Sequence, residues 1–168
     1  MEESKDTVAQ RAGVGPCIFP DVSLPNDPYN LDRFVRAQVD DYDQVLSELR
    51  GGRKRSHWMW YVFPQIEGLG QSPMSQRYSI KSAAEARAYL DHPVLGPRLR
   101  ECAALANAIV GRSALEIFGS PDDMKLRSCA TLFARVSGDA VFEQLLQKYF
   151  NGQADEETVR RLGPLPIG

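Results

Sequence analysis

The chain is poor in the residues that usually announce chemistry. Its 168 residues include two histidines and three cysteines. His57 and His92 stand in no H-E-x-x-H arrangement, so no metal motif is present. Cys17, Cys102 and Cys129 are far apart and odd in number, which suggests neither a zinc site nor a disulfide framework. Three free thiols in a reducing cytoplasm is the simplest account. A G-x-S-x-G elbow and a G-x-x-x-x-G-K-[ST] loop are both missing, and the carboxylates form no spaced pair of the glycosidase kind. No cofactor motif is found. No apolar run approaches the roughly 20 residues that span a bilayer. The opening "MEESKDTVAQ" has no apolar segment and is no secretory signal. Basic excess is lacking too: 20 Lys and Arg stand against 22 Asp and Glu, which argues against a general nucleic-acid binder. These absences point to a cytoplasmic protein that does not engage membranes.

What is present is a helical protein. The length fits one domain with a real core. Residues 1–26 read as a flexible leader, because Gly13, Gly15, Pro16, Pro20 and Pro25 interrupt every period. A helical domain is expected over 27–163 and a short tail over 164–168. Leu31, Phe34, Val35, Tyr42, Val45, Leu46 and Leu49 keep helical spacing behind Asn30 as N-cap, up to Gly51-Gly52. Gln38 interrupts this stripe, either to satisfy a buried backbone group or to reach a ligand. "SHWMWYVF" reads as a short helix capped by Ser56 and stopped by Pro64, since no second strand exists to pair with it. Capping signals then recur at Ser82 with Glu85, Ser113 with Glu116, Ser120-Pro121, Asp139 and Asp155. The expected fold is all-α, a compact irregular bundle of about seven helices.

Five runs carry a resemblance: "LDRFVRAQ", "GGRKRSHWMWYVFPQIEGLG", "YSIKSAAEARAYLDHPVLGPRL", "IFGSPDDMKLRSCATLF" and "YFNGQADEETV". In order and spacing they resemble the family called Domain of Unknown Function 1810, from Leu31 to Leu162. The resemblance implies a helical fold and no established activity.

Candidate function rests on where the rare residues cluster. Both tryptophans and His57 fall within "SHWMWYVFPQ", directly behind the basic run Arg53-Lys54-Arg55. On a helix Trp58 and Trp60 diverge by about 200°, so one is expected inside and the other beside a cleft. The basic run precedes a helix start, and helix N-termini favour anions. Ser120-Pro121 opens a second helix, on which Asp122 is spaced to pair with Lys125 and Arg127 to face solvent. One reading is a pocket for an anionic or nucleotide-like small molecule between the Lys54–Gln65 segment and the helix starting at Pro121. Lys54, His57, Trp58, Trp60 and Gln65 would line one side, and Asp122, Lys125 and Ser128 the other. His57 and Lys125 are the candidate catalytic groups if a reaction occurs there. The alternative is a protein-interaction module that uses exposed aromatics around Trp60.

Overall fold

The computed structural model describes residues 26–165. The expected leader, Asn26 excepted, and the last three residues of the expected tail lie outside them. Ten helices follow one another among the described residues. They are α1 (Asp32–Val39), α2 (Tyr42–Arg50), α3 (Met59–Val62), α4 (Pro73–Arg77), α5 (Ala83–Asp91), α6 (Leu95–Ala108), α7 (Ala114–Phe118), α8 (Asp122–Ser137), α9 (Ala140–Phe150) and α10 (Glu156–Leu162). No strand forms among these residues, and one isolated parallel bridge joins Ile66 to Ile80. The all-α class is as expected; the count is ten rather than about seven.

Part of the difference lies in the first stripe. The apolar spacing from Leu31 to Leu49 is carried by two helices, which break at Asp40 and Asp41. The Asp41 carboxylate accepts the Tyr61 hydroxyl, so the break places an acid against the α3 segment. Asn30 is not the cap of α1. It adopts a positive φ, and Asp27 instead accepts the backbone N–H groups of Leu31 and Asp32 at 2.8 and 3.0 Å. Ser113 and Glu116 form a reciprocal capping box, while Ser82 and Asp155 each accept the N–H three residues on.

α8 is the centre of the molecule. Every side chain from Cys129 to Ala134 is buried, the pattern of a helix surrounded on all sides. It packs against α5, α7, α9 and α10, while α6 packs against α2, α5 and α9. Phe34, Tyr89, Phe133 and Phe142 stack through this core as successive ring pairs 5.0, 5.5 and 5.6 Å apart. Gln38 donates to the carbonyl of Tyr61 at 2.7 Å, which makes its break in the apolar stripe a backbone contact rather than a ligand contact. α10 adds little to the core, with Thr158 its one buried residue. It is tied on through polar contacts, in which Thr131 accepts the N–H of Asp155 and Arg127 donates to the carbonyls of Gln153 and Ala154. Arg127 therefore bridges two elements instead of facing solvent.

Candidate functional site

The segment before α3 is built around one carboxylate that composition does not single out. Glu48 is 5% exposed at the end of α2. Its Oε1 accepts the backbone N–H groups of Arg55 and Ser56, at 2.7 and 3.0 Å, and the indole N–H of Trp58, at 2.9 Å. Its Oε2 accepts the Ser56 hydroxyl and the Gln44 amide, at 2.6 and 2.8 Å. Burial alone would raise the carboxyl pKa. The donors from Ser56, Arg55 and Gln44 outweigh it and hold the group at about 2. The N–H groups of Arg55 and Ser56, at the turn where the basic run suggests an anion site, are taken by the protein's own carboxylate. Ser56 consequently serves Glu48 and does not cap α3, whose N-cap is Trp58 without a side-chain bond.

From this turn Lys54 crosses to the start of α8. Its backbone N–H donates to the carbonyl of Ile117 at 2.7 Å, and its Nζ lies 2.7 Å from Oδ2 of Asp122. Lys125 approaches the same carboxylate from the other side, Nζ to Oδ1 3.2 Å. Each ammonium also covers an indole: Lys54 stands 5.3 Å from the Trp58 ring centre and Lys125 4.8 Å from that of Trp60. Both lysine side chains are largely withdrawn from solvent, 7% and 18% exposed. Asp123, the next residue along, forms an ion pair with neither lysine, and its Oδ1 is buried without a hydrogen-bond partner among the described residues.

The tryptophans do differ. Trp58 is 1% exposed and its donor is taken by Glu48, so it belongs to the core and offers nothing to a ligand. Trp60 is half-buried, and it lines a small cleft with Gln65, Ile66, Gly68, Gly70, Ser75, Tyr78 and Ser79. Its Nε1 is buried and has no acceptor among the described residues. One face of Trp60 is covered by the Lys125 ammonium.

Of the other sequence-nominated residues, Ser128 is buried, and its hydroxyl returns to the carbonyl of Met124 at 3.2 Å. His57 is exposed, and its imidazole makes no hydrogen bond among the described residues. The structure thus gathers Lys54, Asp122, Lys125 and Trp60, with Gln65 beside Trp60. It sets Trp58 behind them, leaves Ser128 bonded within its own helix, and puts His57 at the surface. Glu48 was missed, although its position three residues after Val45 puts a charge on the apolar face of α2, which was the available signal.

Among the described residues no three His, Cys, Asp or Glu side chains converge as a metal site. Burial pushes the Cys102 thiol up to about 12 and raises that of Cys129 well above the ordinary value, which makes both poor nucleophiles. No helix among these residues is long and apolar enough to cross a membrane.

A ten-helix domain with a lysine pair on one aspartate beside a half-buried indole is the arrangement to set against known proteins. Residues 28–162 match the model of a family described as protein of unknown function (DUF1810), and the chain belongs to that family. It is similar to the crystal structure of the conserved hypothetical protein Rv1873 from Mycobacterium tuberculosis, at 56% identity and a TM-score of 0.80. The match covers 81% of this chain and 98% of that one. No curated protein matches the chain.

Proposed function

We propose that the protein binds a small anionic molecule, of the phosphate or carboxylate class, at the Lys54–Asp122–Lys125 cluster beside Trp60. The supporting observation is the charge count. Two ammonium groups share one carboxylate, at 2.7 and 3.2 Å, and neither is ion-paired to another acid among the described residues, so each charge is only partly offset in a largely desolvated place. Such a charge is costly to keep unless something offsets it. The start of α8 adds the favourable end of a sixteen-residue helix dipole, although Asp122 and Asp123 already use part of it. Within the cluster Lys54 is the more enclosed and more closely paired member. Lys125 is therefore the ligand-facing cation, and Trp60 is the wall beside it.

Thermal-shift titration with phosphate, simple carboxylates and nucleoside monophosphates tests this reading. A ligand that binds only the native state adds about 2.7 kcal/mol at a hundred times its dissociation constant, a clear rise in melting temperature. The stabilisation should disappear in Lys125→Met, which keeps the aliphatic stem and removes the charge. Equal stabilisation of the wild type and Lys125→Met would refute the assignment.

A further inference from the structure

Trp60 presents two things at once: an ammonium over its face and an indole N–H with no acceptor among the described residues. Buried indole donors ordinarily find an acceptor. The cleft that Trp60 lines is narrow, with room of about 10 Å³ for the centre of a water-sized atom.

Gly68, Gly70 and Ser75 form part of the cleft's wall, and all three belong to the segment 68–76. α4, which makes up most of its second half, has no buried residue. The segment's hydrogen bonds are mostly its own: Ser72 accepts from the Ser75 N–H, the Gln76 N–H donates to the Ser72 carbonyl, and the Gln76 amide donates to the Gln71 carbonyl. Its base is pinned on both sides. Glu67 N–H to the Ile80 carbonyl and Ile80 N–H to the Gln65 carbonyl, both 2.8 Å, close the loop, and Arg33 holds the Arg77 carbonyl at 2.8 Å. Arg161 reaches the Glu67 carbonyl at 3.4 Å. Leu69 is the one apolar side chain of the segment packed against the core. Gly68 at its start has a φ of +98°, a backbone state that few side chains tolerate. A self-bonded flap on a fixed base, almost without core contacts, is the kind of element that opens locally at little cost.

We propose that the Trp60 indole N–H is the neutral hydrogen-bond donor of the anion site, and that residues 68–76 are a lid that opens to bring an anionic oxygen to it. This rests on the anion-binding reading above and adds the second recognition group and the route of entry. Lys125 supplies the charge above the ring, and Trp60 supplies the directed donor at its edge.

The test uses the full chain with acetate and with inorganic phosphate as separate probes, against wild type, Lys125→Met and Trp60→Phe. Phenylalanine keeps the aromatic wall and removes the donor. Trp60→Phe should keep the fold and weaken the preferred anion tenfold or more, the usual loss for a hydrogen bond to a charged acceptor. The better-bound probe tells carboxylate from phosphate. Amide hydrogen exchange should be fast across 68–76 without anion, slow at Ile80, and at least tenfold slower across 68–76 once the site is saturated. If Trp60→Phe binds like wild type while Lys125→Met does not, the anion site stands and the donor role is overturned. If neither probe binds wild type, the anion reading itself fails and the donor role falls with it. The lid is judged separately by exchange: amides of 68–76 protected as strongly as those of α6 would overturn it.

Discussion

Lys54 and Lys125 hold different oxygens of one carboxylate, Asp122 Oδ2 and Oδ1, from elements far apart in the chain. Their roles are not equal. Lys54 is more enclosed, sits closer, and its own backbone N–H ties the loop to α7 through Ile117. Lys54→Met should therefore cost about 1–3 kcal/mol in chemical denaturation, as a buried pair loses its nearer partner. Lys125→Met, which leaves the Lys54–Asp122 pair intact, should stay within about 1 kcal/mol of wild type. The reverse ordering of the two midpoints would show that the cluster is misassigned.

Glu48 carries a larger structural duty. Five donors converge on it, from Gln44, Arg55, Ser56 and Trp58. Glu48→Ala leaves them unsatisfied in a closed space and should destabilise the protein by about 3 kcal/mol or more. Glu48→Gln should lose most of the same amount despite its matched size, because an amide NH₂ must then face N–H and O–H donors. Urea unfolding of both variants checks this, and a mild effect of Glu48→Gln would mean that the ionised form is not what the turn requires.

The same group sets an acid limit. Its folded pKa, held at about 2, lies below the unfolded value near 4.5. The unfolded chain thus binds the proton first, and stability falls as pH drops. The contribution of Glu48 is complete above about pH 4.5 and is lost progressively towards about pH 2, a total of about 3 kcal/mol. Unfolding free energies of wild type and Glu48→Gln should converge over that window. Parallel acid profiles would contradict the assignment.

Gly96 is a packing constraint. A Cβ there would lie 2.0 Å from the carbonyl oxygen of Leu90 and 2.9 Å from its carbon. Both are backbone atoms at the end of α5 and cannot swing aside. Gly96→Ala should lower stability by about 2–3 kcal/mol through forced separation of α5 and α6, although alanine is the better helix former. A neutral or raised melting temperature would show that the two helices can part freely.

Local rules made much of this molecule legible. The reciprocal cap at Ser113 and the Asp122–Lys125 spacing both depend on residues within one turn of each other. The misreadings occur where a distant or competing group intervenes. Asn30 has the right chemistry for a cap, yet Asp27 captures the same N–H groups with two oxygens. Ser56 has it too, but Glu48 arrives from across the Gly51–Gly52 turn and takes its hydroxyl. The basic run predicts an anion and gives no hint that a residue of the preceding helix fills the place. Lys54 meets Asp122 only because α7 and the central helix bring the two segments together, and periodicity does not encode that encounter.

The carboxyl-terminal helix has a consequence for handling the protein. It buries only Thr158, is fastened by Arg127 and Thr131, and sends Arg161 across to the base of the loop over Trp60. The guanidinium lies so close to Gly68 that a Cβ there would fall 2.1 Å from its Nη1. Cutting the chain before Asp155, or fusing a bulky tag behind this helix, therefore tampers with a clasp on the base of that loop. A shortened version that folds well would still be the wrong specimen for measuring what enters beside Trp60.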